Sequence, residues 1–132
     1  MSARGGHLTG GSGRDQLVCS ALDGFRDGKY YTWTHRTQVE DFARGQDKIY
    51  ISFWLDAKKY GHHTSNSRQT FRILDNNHDA SMDSRDAGVQ IGPNWISIDF
   101  NEAVSSLNWD FTIDNGITIV GVNYLTLADF VL

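Results

Sequence analysis

Of the 16 carboxylates in this chain, 14 are aspartate and only Glu40 and Glu102 are glutamate. Glutamate sits comfortably on helix surfaces. The shorter aspartate side chain instead bonds nearby backbone N–H groups, which favours turns, caps and loops that hold hard cations. A chain with this imbalance is expected to be rich in acidic turns and poor in helix.

The apolar pattern agrees. Lys29–His35 and Lys48–Trp54 carry aromatic and β-branched residues in runs of strand length, separated by the turn-like Ala43-Arg44-Gly45-Gln46. Within the second run Ile49, Ile51 and Phe53 alternate with Tyr50, Ser52 and Trp54, which predicts a strand with one aliphatic, buried face. Trp95–Phe100 alternates in the same way. Trp109–Ile113 and Ile117–Val122 flank Asp114-Asn115-Gly116, and Asn-Gly predicts a hairpin turn between them. Ala57–Gln69 has no period and is expected to be a loop. Arg68–Leu74 is expected to form one short helix, because Phe71 and Leu74 share a helical face. Residues 1–7 are expected to be a disordered tag or linker remnant, and residues 8–132 a single module.

Composition removes several classes of function. A net charge of −4, with 12 scattered basic residues, argues against nucleic acid as a partner. No apolar run approaches the roughly 20 residues that span a bilayer. The first 13 residues lack the basic and then apolar stretch of a cleavable secretory signal, so export is expected to use another route. Cys19 is the only cysteine, which rules out an intramolecular disulfide, and its expected role is that of a small buried hydrophobe.

Two motifs carry chemistry. The first is Gly10-Gly11-Ser12-Gly13-Arg14-Asp15-Gln16-Leu17-Val18, a glycine-rich nonapeptide of the kind that forms calcium-binding parallel β-rolls. Gly11 and Gly13 permit a tight turn whose carbonyls face an ion, Asp15 closes the site, and Leu17 enters the interior. The second runs from Asp75 to Asp86 and aligns with a twelve-residue EF-hand loop. Oxygen donors fall at position 1 (Asp75), position 3 (Asn77), position 5 (Asp79), position 9 (Asp83) and position 12 (Asp86), with the Ser81 carbonyl at position 7 and Met82 at the apolar position. Two departures stand out. Position 6 is Ala80 where glycine usually supplies a positive φ, at a cost of about 1 kcal/mol, and Asp86 is shorter than the usual glutamate. The implied cofactor is Ca²⁺.

The order of motifs resembles the C-terminal region of repeats-in-toxin (RTX) proteins. These run from a glycine-rich repeat, through an Asp-Phe-x-x-Gly-x-Asp-Lys-Ile segment, to a terminal Leu-Thr-x-x-Asp-Phe. Here Asp41-Phe42-Ala43-Arg44-Gly45-Gln46-Asp47-Lys48-Ile49 matches the middle segment and Leu125-Thr126-Leu127-Ala128-Asp129-Phe130-Val131-Leu132 the end. The resemblance implies a mainly β fold, a β-roll-type glycine-rich turn capped by antiparallel strands, together with calcium-dependent folding after export. It also implies Asp47 as a further calcium ligand, while Tyr50 replaces the family's next aspartate. Asp129, Phe130, Val131 and Leu132 are implied to be read by an ABC-type, type I secretion machinery. The implied location is outside the cell or on its surface, and a glycine-rich edge offers a surface for pairing with a second copy.

Two other readings compete. A hydrolase is disfavoured, because His62 and His63 are adjacent, no His-Glu-x-x-His is present and no pair stands out among the aspartates. A non-enzymatic polysaccharide-binding module is the stronger rival. It would use Tyr30, Trp33, Trp54 and Tyr60 as an exposed aromatic face, with Trp95 and Trp109 packed inside.

Overall fold

In the computed structural model of the chain, the described residues are 2–3, 6–9, 11, 13–22, 25–26, 29–30, 34–54, 66–107, 111 and 113–131. Strands dominate. They are β1 (Ser2–Ala3), β2 (Gly6–Leu8), β3 (Gln16–Leu22), β4 (Phe25–Arg26), β5 (Lys29–Tyr30), β6 (Thr34–Val39), β7 (Lys48–Trp54), β8 (Val89–Ile91), β9 (Trp95–Asp99) and β10 (Asp114–Val120). Two α-helices, α1 (Ser67–Leu74) and α2 (Phe100–Ala103), and two 3-10 turns complete the described elements.

The chain alternates between two sheets. One has the order β1-β3-β7 and is wholly parallel, with Leu17 opposite Ile49 and Cys19 opposite Ile51. The other has the order β2-β6-β10-β9-β8, in which β2, β6 and β10 are parallel and β10, β9 and β8 antiparallel. Parallel neighbours need a crossover connection. Between β2 and β6, and again between β3 and β7, the crossover includes a strand of the opposite sheet. β4 and β5 form a separate antiparallel pair. Residues 2–3 and 6–7, within the expected 1–7 remnant, therefore hold strand positions.

Alternation fills the space between the sheets. Leu17, Cys19 and Ala21 of β3, Ile49, Ile51 and Phe53 of β7, Val39 of β6, Ile117 and Ile119 of β10, and Ile96 and Ile98 of β9 belong to one buried cluster. Each Val, Leu, Ile or Phe side chain among them contributes about 1.5–3 kcal/mol on leaving water. The aliphatic face expected for Lys48–Trp54 is completely covered, with Ile49, Ile51 and Phe53 each at 0% exposure. Cys19 lies in this layer, and burial pushes its thiol up to about 12.

The short helix forms where expected because its signals agree. Asn66 caps it, its side-chain oxygen accepting the Arg68 and Gln69 N–H groups at 2.8 and 3.3 Å. Thr70, Phe71 and Leu74 face inward, and the Thr70 hydroxyl donates to the Ile51 carbonyl at 3.0 Å, fixing α1 against β7.

The Asp114-Asn115-Gly116 hairpin does not form. These residues begin β10 itself, paired to Thr34, His35 and Arg36 on one side, and Gly116 is also paired to Asp99 on the other. Asn115 is fully buried and its side chain donates to the Ile113 carbonyl at 3.1 Å, so it anchors the strand start. Gly116 serves close approach: a Cβ there would lie 2.7 Å from Arg36 Nη1 and 3.0 Å from the Ile98 carbonyl oxygen. Residues 109, 110 and 112 of the expected partner strand lie outside the described residues, as do 57–65 of the expected loop.

Candidate metal centre

Helix α1 ends at Asp75, whose N–H donates to the Phe71 carbonyl at 2.7 Å, and the acidic loop begins there. Its backbone is shaped by its own side chains. Asn77 Oδ1 accepts the Asp79 N–H at 3.2 Å, Asp79 Oδ1 the Ser81 N–H at 3.1 Å, and Asp83 Oδ1 the Arg85 N–H at 3.0 Å. Such two-residue-ahead bonds are what short acidic side chains do well in turns. At the sixth position Ala80 has φ +70°, the left-handed conformation expected there, and its N–H donates to Asp75 Oδ2 at 2.8 Å. Asp86 closes the loop, Oδ1 accepting from the Asn77 N–H at 3.2 Å and Oδ2 from the Asp83 N–H at 3.0 Å.

The folded loop brings Asp75, Asp79 and Asp86 together, each offering a carboxylate oxygen within 4.8 Å of the others. Among the described residues this is the one such group of three. Asp75 is only 3% exposed, and its Oδ1 is buried with no hydrogen-bond partner. An orphaned carboxylate oxygen inside a protein is costly. Burial raises the Asp75 pKa, the Ala80 N–H opposes that shift, and the nearby Asp86 and Asp79 charges add to it. A hard cation among these oxygens would remove the cost, and an all-oxygen donor set suits calcium.

The remaining predicted donors behave differently. Asn77 Nδ2 donates to Asp79 Oδ2 at 3.4 Å, and the Ser81 hydroxyl to Asp83 Oδ2 at 3.3 Å. Asp83 turns to Arg85, whose Nε and Nη2 lie 3.1 and 2.7 Å from its two oxygens, and this holds the Asp83 carboxyl down at about 2. Arg85 Nη2 also reaches Asp79 Oδ2 at 2.7 Å. Arg85, at the eleventh position, was not among the predicted site residues. The signal was present in the run Asp83-Ser84-Arg85-Asp86, where a cation is flanked by two of the proposed ligands.

The glycine-rich turn and the middle segment are stacked. Gly11 and Gly13 take φ +75° and +96°. The Gly11 N–H donates to Asp41 Oδ2 at 2.9 Å, and the Asp15 N–H to Asp47 Oδ1 at 3.1 Å. Asp47, 1% exposed, also accepts the Ala43 N–H at 2.9 Å through Oδ2. Both of its oxygens thus staple backbone. Asp15 Oδ2 is buried without a hydrogen-bond partner, but among the described residues no third acidic or histidine ligand joins Asp15 and Asp47.

The C-terminal segment is docked on the same end. Arg44 Nε and Nη2 lie 3.1 and 3.2 Å from the Asp129 oxygens, and the guanidinium stacks 4.0 Å from the Tyr124 ring. Asp129 also accepts the Thr126 N–H at 2.9 Å, and Lys48 Nζ donates to the Ala128 carbonyl. Phe130 is 1% exposed and meets Phe71 edge to face, with centroids 5.6 Å apart. The Val131 N–H donates to the Ile49 carbonyl at 2.8 Å. Leu132 lies outside the described residues.

Of the aromatic face suggested for polysaccharide, Trp33 and Tyr60 lie outside the described residues, and Tyr30 and Trp54 are described through their backbone in β5 and β7. No helix among the described residues is long and apolar enough to cross a membrane. Comparison of the chain with protein-family models, with curated proteins and with solved structures finds no match.

Proposed function

We propose that this chain is a non-catalytic calcium-binding module of the repeats-in-toxin type, exported from the cell and stabilised outside it by calcium. One observation carries the reading: Asp75, a carboxylate that is 3% exposed, has one buried oxygen without a hydrogen-bond partner and is grouped with Asp79 and Asp86 in a loop with EF-hand donor spacing. The Ala80 backbone supports it, since an alanine held at φ +70° carries strain that the shape of the loop imposes. The winding of β2, β3, β6 and β7 between two sheets, with Gly11 and Gly13 at the turn, is compatible with a β-roll end. In this reading the stacked turns around Asp15 and Asp47 are a second, partial calcium position. The tail containing Asp129 and Phe130 is buried once folded, so a type I transporter reads it on the unfolded chain.

Equilibrium dialysis against calcium tests the assignment. Wild-type protein is expected to retain calcium, Asp75→Ala to lose the loop's ion, and Asp15→Ala to lose only what the glycine-rich turn contributes. Undiminished binding by Asp75→Ala would remove the loop from the account.

A further inference from the structure

The outward face of the five-stranded sheet holds a second constellation, beside the acidic loop. Register aligns Gln90, Ser97, Thr118 and Gln38 in a polar row across β8, β9, β10 and β6. Beside it, Arg36, Gly116 and Asp99 form the next row. Because residue 116 has no side chain, the Arg36 guanidinium can lie across the sheet. Asp114 holds it from one side, through Nε at 3.1 Å and Nη2 at 2.7 Å, and Asp99 from the other at 3.3 Å. Both Nη1 protons remain without a partner among the described residues. Part of this surface borders an open groove of about 490 Å³, lined by Arg36, Gln90, Ser97, Asp99 and Glu102 and by Asp86 of the acidic loop.

We infer that this groove binds a neutral, unbranched oligosaccharide. Its chemistry alternates donors with acceptors: Arg36 Nη1 donates, the Glu102 carboxylate accepts, and the Gln90 amide and Ser97 hydroxyl do both. Neighbouring hydroxyls on a sugar ring need that mixture. Charge selects against the rival ligands. Arg36 is already neutralised by Asp99 and Asp114, so an anion such as phosphate meets the further carboxylate of Glu102 at the lining. A lysine-rich peptide would have to place its ammonium groups beside the guanidinium. On the same face of β9, two residues or about 7 Å before Ser97, Trp95 is only partly buried. Its ring packs on residue 92, where the missing Cβ makes room, and it supplies an apolar platform next to the polar row. This surface uses other residues than Tyr30, Trp33, Trp54 and Tyr60, and it borders the acidic loop at Asp86.

The test is a nitrogen-15 NMR titration of the whole chain, in calcium buffer, with cellohexaose, xylohexaose and mannohexaose, and separately with inorganic phosphate and pentalysine. At least one hexaose is expected to shift the Gln90, Ser97 and Asp99 amides and the Trp95 indole N–H. Arg36→Ala is expected to weaken that binding at least tenfold, and Gln90→Ala and Trp95→Ala severalfold. Gln90 is exposed and has no partner among the described residues, so its variant keeps the test valid if Arg36→Ala fails to fold. The inference is overturned if no hexaose moves these signals, if phosphate or pentalysine moves them instead, or if the variants bind as wild type does.

Discussion

Met82 and Leu125 exchange two backbone hydrogen bonds, each N–H donating to the other's carbonyl, at 2.8 and 3.0 Å. Met82 is the eighth residue of the acidic loop, lying between the proposed ligands Asp79 and Asp83, while Leu125 opens the segment that ends in Asp129 and Phe130. The loop and the tail are therefore one mechanical unit. Phe71, at the end of the helix that enters the loop, packs on Phe130 and closes the same circuit through side chains.

This linkage makes calcium binding visible far along the chain. Hydrogen exchange is expected to slow on calcium addition at the Met82, Leu125, Phe130 and Val131 amides together. Slowing confined to residues 75–86 would mean that the bridge does not transmit the ordering of the loop.

Ala80 is strained by its conformation, and glycine would remove that strain. Ala80→Gly is expected to stabilise the protein by about 1 kcal/mol in denaturant unfolding, although glycine normally loosens a chain. A destabilised variant would show that the left-handed turn at this position is not part of the folded loop.

Arg85 occupies two of the loop's carboxylates, and a cation arriving at Asp79 has to compete with it. Arg85→Gln is expected to raise calcium affinity severalfold in calorimetric titration, with the gain shrinking at high salt because the competing pair is exposed. Unchanged affinity would place Asp79 and Asp83 outside the ion's coordination.

Cys19 offers a probe of global opening. Its thiol is buried and its pKa raised to about 12 from 9.0, so it is expected to resist thiol reagents at pH 8 until the protein unfolds. The linked stability has a definite sign. A group raised on folding contributes below its unfolded value, and the contribution is lost as pH climbs from 9.0 towards about 12. Denaturant midpoints measured across that interval should fall, and should fall less for Cys19→Ala.

Local signals in the sequence carry through where one physical force dominates. The alternation of Ile49, Ile51 and Phe53 is enough to place β7 at Lys48–Trp54, and Phe71 with Leu74 is enough for α1. Asn115-Gly116 misleads because the same pair suits two situations. A tight turn exploits glycine's backbone freedom, whereas β10 exploits its missing side chain beneath Arg36. Parallel pairing of β3 with β7 and of β6 with β10 joins residues far apart in sequence, and no local pattern encodes it. Donor spacing brought the acidic loop to light. It did not reveal that Arg85 engages Asp83, or that Asp47 spends both oxygens on backbone N–H groups, because those are choices of side-chain direction made in three dimensions. Arg44 bound to Asp129 likewise joins two segments that, read separately, suggested a turn and an export signal.

Thermal unfolding of the wild-type chain and of Asp75→Asn, each with calcium and with chelator, tests the account most directly. At calcium concentrations of about 100 to 1,000 times the dissociation constant, mass action stabilises the folded state by about 3–4 kcal/mol, which corresponds to a rise of roughly 10 °C in Tm. The wild type is expected to show that rise. Asp75→Asn is expected to lose most of that rise, since the buried oxygens of the loop no longer carry the charge that draws the ion. Equal melting of the wild type with and without calcium, or an undiminished calcium shift in Asp75→Asn, would contradict the claim that this loop is a calcium site.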